Sequence, residues 1–176
     1  MEQLINTVLL TLLALVTIGI IRVRNLFAVV VLAGAYSFLM ASVMMVLDAV
    51  DVAMTEASVG AGISTVLALG ALYLTRTEEA PPRYSAWLPL FVALGTGAML
   101  VWGTWNLPPF GLAETPMNTG VGLDYLRRNY EETHIPNVVT AVLASYRGYD
   151  TLGETTVIFT AGIGVLLLLR RFQRQR

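Results

Sequence analysis

The sequence predicts an all-α integral membrane protein with five transmembrane helices. Three observations lead there. Charged residues are 13% of the 176, about half the share in a soluble domain, while 56% are hydrophobic. The charges are segregated, leaving five runs of 18 to 22 residues with one charge or none. A bilayer core about 30 Å thick takes about 20 helical residues to cross, so each run is the right length. Strands are a poor alternative, because lipid-exposed sheet edges are not tolerated and the runs do not alternate. A four-helix layout, with the first or last run lying at the surface, is the rival.

The first run, Leu4 to Ile21, is a retained span rather than a signal peptide. It starts Met1-Glu2-Gln3 without a basic region and ends at Arg22-Val23-Arg24 without a small-residue cleavage site. The second runs from Leu26 to Leu47 and the third from Ala57 to Leu74, or from Ala53 if Glu56 is included. Links of a few residues, Arg22–Asn25 and Asp48–Val52, make these three antiparallel neighbours. Next comes a polar stretch, Thr75 to Arg83, whose Pro81 and Pro82 forbid a continuous helix and suggest a hinge. The domain reading is therefore a three-helix module at 1–76, a hinge at 77–85 and a two-helix module at 86–176.

The fourth run, Ala86 to Leu107, has Pro89 near its start, where proline costs little, and Trp102 and Trp105 near its end, which suit a membrane interface. Residues 106–151 are more than a loop. Leu123, Leu126 and Tyr130 recur at helical spacing opposite charged residues, which predicts a short amphipathic surface helix. Asn137 caps a second short helix that stops near Arg147-Gly148. Thr151-Leu-Gly-Glu154 fits a capping box opening the fifth run, Leu152 to Leu169.

Arginine sets the expected orientation, since the chain has no lysine. With five spans, one side collects Arg22, Arg24, Arg76, Arg83, Arg170, Arg171, Arg174 and Arg176, and the other only Arg127, Arg128 and Arg147. The positive-inside rule then puts the N-terminus outside and the C-terminus in the cytoplasm. The segment 106–151 would be external.

Composition also excludes functions. The net charge of −1 offers no basic face for nucleic acid. Without cysteine the chain alone holds no disulfide, iron–sulfur cluster, c-type haem or thiolate zinc site. Its one histidine, His134, falls in the polar external segment. No phosphate-binding loop, dinucleotide fingerprint or nucleophile–base pair is present, so no enzyme, cofactor or metal site is expected.

Two clusters remain. Asp48, Asp51 and Glu56 fall within nine residues at a membrane boundary. Asp48 and Asp51 can cap the start of the third span and stay solvated, or take part in an ion route. Glu56 lies a turn or more deeper, where an ionisable group is costly unless it faces protein or water. It is read as a proton or cation group, with a buried structural carboxylate as the alternative. Gly60, Gly62, Ser64 and Thr65 follow. Glycines there make room for a π-bulge or local unwinding, or simply for close helix packing, with Gly34, Ala35 and Ser37 as the natural facing surface. The second cluster is Arg147, Asp150, Thr151 and Glu154. Arg147 and Asp150 read as an ion pair and Thr151 as a cap. Glu154 enters the membrane and is a further candidate for ion translocation.

Two stretches carry a family resemblance. Asp48-Ala-Val-Asp-Val-Ala-Met-Thr-Glu-Ala-Ser-Val-Gly-Ala-Gly62 resembles the signature of the module typified by the D-type subunits of hydrogenases. Pro136 to Glu154 resembles the E-type module that follows it. In Mrp-type multisubunit Na⁺/H⁺ antiporters these modules form the C-terminal end of the large A-type subunit; in membrane-bound hydrogenases they are separate subunits. Here they are read as fused in one free-standing chain. The pair is also similar to the five-helix subunit of respiratory complex I called J in bacteria, whose N-terminus is outside and whose third helix carries a π-bulge. The resemblance implies that Glu56 lies on the proton or cation route of a multi-pass complex in a prokaryotic inner membrane, beside large antiporter-like subunits, with Na⁺ and H⁺ as the transported ions. A redox-driven hydrogenase-like or complex-I-like machine is the alternative. Val50 departs from the pattern, where proline is expected.

Overall fold

The third span shows how this chain builds a membrane helix around a polar site. It runs from Val50 to Leu74 in three stretches: α-helix at Val50–Thr55, π-helix at Glu56–Ile63, and α-helix at Ser64–Leu74. The computed structural model describes residues 1–75, 77–80, 85–109 and 111–173, and all of its regular structure is helical. Five helices among the described residues are long and apolar enough to cross a membrane. They are Gln3–Arg22, Leu26–Val46, Val50–Leu74, Trp87–Thr104 and Gly148–Leu168. The chain is a multi-pass membrane protein.

It divides into two compact units, Met1–Phe91 and Val92–Arg176. In the first unit, the opening helix packs along the second, and the second packs along the whole third span. Its core is small: Leu13, Ala41, Val43 and Ala53 are buried. Asn25 caps the second span by accepting from the Ala28 N–H at 3.1 Å. The link after the third span returns to that cap. The Leu26 N–H donates to the Thr77 carbonyl at 2.7 Å and the Glu79 N–H to the Arg24 carbonyl at 3.1 Å. The start of the expected hinge is therefore paired to the first link. Pro81, Pro82, Arg76, Arg83, Arg174 and Arg176 lie outside the described residues.

Pro89 is the third residue of the helix Trp87–Thr104, where no intrahelical N–H bond is lost. The second unit then has a short helix at Pro116–Thr119, the surface helix Val121–Thr133, and a capped helix that continues as a π turn at Val142–Tyr146. Asn137 caps this last helix, accepting from the Thr140 N–H at 2.8 Å. The final helix spans Gly148–Gln173.

Candidate functional site

The second span ends at Leu47 with the backbone pattern that closes many helices. The Asp48 N–H donates to Met45 O at 3.2 Å and the Ala49 N–H to Met44 O at 2.9 Å. Asp48 holds the left-handed position, with φ 58°, that this motif requires. Asp48 thus closes the second span instead of capping the third, which corrects one of the two readings of this residue. The N-cap of the third span is Ala49, without a side-chain bond. Val50 is the first helical residue, the position that favours proline, and the turn closes without one. Asp51 sits in the first turn, where a carboxylate suits the helix dipole.

Glu56 opens the π-helical stretch, about 9 Å along the helix from Val50 at 1.5 Å per residue. The Ser64 N–H reaches back five residues to the Val59 carbonyl, the bond that defines a π turn. Gly60 and Gly62 both lie in this stretch. Their surroundings differ. A Cβ on residue 60 would stand 2.5 Å from Glu56 Oε1 and 2.9 Å from Ser37 Oγ. Only glycine lets the carboxylate fold over the backbone there and face the second span. A Cβ on residue 62 would meet only Ala57 O, at an ordinary 3.6 Å. Gly34 on the second span is the counterpart of Gly60: a Cβ there would meet Thr65 Oγ1 at 2.7 Å.

The two glycines let the spans approach and border a cleft of about 280 Å³, lined by Ser37, Ser64 and Thr65 among aliphatic neighbours. Gly34 and Ser37 face the glycine-rich stretch as expected; Ala35 does not line the cleft. Glu56 is half-buried; it does not line the cleft itself, but its Oε1 lies over Gly60, which does. Among the described residues it has no ion-pair partner and accepts no hydrogen bond.

In the second unit, Arg147 and Asp150 form an ion pair with both side chains more than half exposed, an arrangement worth at most about 1 kcal/mol. The Arg147 N–H also closes the π turn on Val142 O at 2.8 Å. The capping box at Thr151 is not formed. The last helix begins at Gly148, so Thr151 is already inside it, and its hydroxyl donates instead to Leu143 O at 2.8 Å. The Asp150 N–H already donates to Arg147 O at 3.0 Å, within the first turn. Glu154 is exposed on this helix, one turn beyond Asp150.

Sequence patterning missed the polar anchor of this unit. Leu126 and Tyr130 of the surface helix are exposed, whereas Asn129 is 2% exposed. Its side-chain amide donates to Ile135 O at 2.6 Å, and the Thr133 hydroxyl returns to Asn129 at its carbonyl and side-chain oxygens. An asparagine mid-helix, where propensity disfavours it, was the available signal. Tyr146 stacks against Tyr125 at 4.8 Å and donates to Glu132 Oε2. That hydrogen bond, helped by desolvation, holds the Tyr146 phenol above the usual tyrosine range. His134 is exposed and ends the surface helix in a left-handed conformation, φ 57°. Among the described residues, no group of three His, Asp or Glu is placed to hold a metal.

Five membrane-length helices, with carboxylates carried inside the third and fifth, define an integral membrane protein with ionisable groups within its spans. Comparison with known families makes this specific. The chain belongs to the family of MBH D-type subunits, MbhD, over residues 11–77 and to that of MBH E-type subunits, MbhE, over residues 88–176. It is 30% identical over 138 residues to the probable K(+)/H(+) antiporter A/B-type subunit of Rhizobium meliloti, covering 73% of this chain and 13% of that protein. It is 26% identical to the Na(+)/H(+) antiporter A-type subunit of Alkalihalophilus pseudofirmus, over 88% of this chain and 19% of the relative. With the Na(+)/H(+) antiporter A1-type subunit of Staphylococcus haemolyticus it shares 28% identity, over 86% and 18%. The chain spans less than a fifth of the length of each of these relatives.

Proposed function

We propose that this chain is a membrane subunit of a multisubunit cation/proton antiporter of Mrp type, with Glu56 on the proton or cation route. The observation that carries the reading is the Glu56 carboxylate inside the third span, folded over Gly60 with no ion-pair partner among the described residues. A charge so placed costs free energy in lipid and is retained where it handles ions or protons. The names of the relatives, Na(+)/H(+) and K(+)/H(+) antiporter subunits, support the class of activity. Asp51 and Glu154 are secondary candidates on the same route, each at the entry of a span. In this reading the chain acts as a transport subunit rather than as an enzyme. The N-terminus is placed outside and the C-terminus in the cytoplasm of a prokaryotic inner membrane, on the arginine distribution. Exposed Phe91, Trp102, Phe159 and their apolar neighbours are surfaces for lipid and for large antiporter-like subunits.

The test is Glu56→Gln in the intact complex, assayed for Na⁺/H⁺ and K⁺/H⁺ antiport in everted vesicles. Antiport is expected to be lost while the subunits still co-purify. Wild-type antiport in that variant overturns the assignment of Glu56. A second reading, a component of a redox-driven complex, is favoured by the two family matches, since such modules also occur in membrane-bound hydrogenases. Mass spectrometry of the gently purified complex separates them: antiporter-like membrane subunits alone support the first, and nickel–iron or iron–sulfur proteins the second.

A further inference from the structure

Hydroxyls within membrane helices ordinarily donate to a carbonyl three or four residues back, which leaves no open donor in lipid. In the first three spans Thr7, Thr11, Thr17, Ser42, Thr55 and Ser58 all do this, at 2.7–3.0 Å. Ser37, Ser64 and Thr65 do not. Among the described residues none of these three donates a hydrogen bond, and all three line the cleft beside Glu56. An open hydroxyl is costly in an apolar setting, so three converging on one cavity mark a place for water. The cleft, about 280 Å³, has room for several waters at roughly 30 Å³ each. Ser37 Oγ has a further property. It and Glu56 Oε1 lie within 3 Å of the same point, the missing Cβ of Gly60.

We infer that Ser37 is the relay residue through which Glu56 exchanges its proton with water in this cleft. The inference rests on the reading of Glu56 as an ion-route group and adds the next member of that route. The step is a concerted shift. The Glu56 carboxyl O–H bond breaks as its proton joins Ser37 Oγ. The original Ser37 O–H bond breaks as that proton joins a cleft water. A carboxylate and a hydrated proton result, and Ser37 ends neutral. The elements packed against the π stretch are the second span and the two α-helical ends of the third. Their titratable groups are Tyr36, Asp51 and Tyr73, and none lines the cleft. Ser37 is thus the polar group of the second span that shares the Gly60 Cβ position with the carboxylate, with no hydrogen bond between the two.

The experiment compares Ser37→Ala, Ser37→Thr and, as a control, Ser42→Ala in the intact complex. Ser42 is about a turn and a half further along the same helix, but its hydroxyl is committed to Phe38 O at 3.0 Å. Antiport turnover is read in everted vesicles across a range of pH. The carboxyl stretch of protonated Glu56, identified by its absence in Glu56→Gln, is read by difference infrared spectroscopy. Ser37→Ala is expected to lower turnover about tenfold, less than the ~100-fold typical of losing a positioned acid–base group itself. It should also shift the Glu56 band to the frequency of a less hydrogen-bonded carboxyl. Ser37→Thr should restore both, and Ser42→Ala should alter neither. Unchanged turnover and band in Ser37→Ala overturn the relay, as does equal loss in Ser37→Ala and Ser37→Thr. If Glu56→Gln removes antiport while Ser37→Ala keeps it, the relay falls and the reading of Glu56 stands. If Glu56→Gln keeps antiport, the reading of Glu56 itself fails.

Discussion

Adding one methyl group at residue 60 should separate the stability of this chain from the antiport proposed for its complex. In Gly60→Ala the new Cβ would lie 2.5 Å from Glu56 Oε1. An ordinary carbon–oxygen contact is about 3.4 Å, so the carboxylate must retreat by about 1 Å. It can do so cheaply, because it is the free end of a flexible side chain; Ser37 Oγ, at 2.9 Å, must also give way. A misplacement of about 1 Å in a reacting group can cost about 100-fold in rate. Alanine in place of glycine meanwhile favours the helix by up to about 1 kcal/mol. The two effects have opposite signs. The assay pairs thermal unfolding of the purified complex with antiport in everted vesicles, and uses Gly70→Ala as the control. Gly70 is on the same span, and a Cβ there meets nothing within 4 Å. The expected result is equal or higher thermal stability in both variants, with transport falling by one to two orders of magnitude only in Gly60→Ala. Wild-type transport in Gly60→Ala would refute the argument that the carboxylate must lie over residue 60 to work.

Two further outcomes follow from the helix ends. Asp48 holds a left-handed C-terminal position that asparagine and glycine also accept, and its charge opposes the helix dipole there. Asp48→Asn should be neutral or stabilising by about 0.3–1 kcal/mol, and Asp48→Val destabilising by about 1–2 kcal/mol, in thermal unfolding of the complex; the opposite order would remove the closing motif from the account. Tyr146 is held above the ordinary tyrosine value by its hydrogen bond to Glu132, so the protonated phenol is favoured in the folded state. That contribution is present at neutral pH and is lost only as pH rises above about 10. Spectrophotometric titration should show one high-titrating tyrosine that moves toward the ordinary range in Glu132→Gln, and an unchanged titration would discard the pair.

The spans were legible because each is a long run of apolar residues between charges, and hydropathy needs no partner to be read. Helix caps were legible only where one side chain does the capping. Asn137 caps as its position suggests. Thr151 does not, because the last helix already begins at Gly148, directly after the π turn at Val142–Tyr146, and that turn has no side-chain signature in the sequence. The reading of Asp48 as a cap of the third span fails for a similar reason: an aspartate between two helices can close the first or open the second, and only the backbone angle of 58° decides.

The site divides along the same line. Glu56 stands out in the sequence as a charge in an apolar run, and Gly60 and Gly62 as small residues beside it. That Gly60 is the glycine required by close approach, and Gly62 is not, depends on a register between two helices that no spacing rule supplies. The hydroxyls sharpen the point. Nine serines and threonines lie within the first three spans, and by composition they are equivalent. Six are bonded to their own helix, and three are left open around one cleft. Intrahelical back-bonding is available to every one of them, so polar composition cannot tell which will forgo it. What distinguishes Ser37, Ser64 and Thr65 is where Gly34 and Gly60 let two backbones meet. In this helix pair, glycine decides which hydroxyls border the cleft and which stay bonded to their own helix.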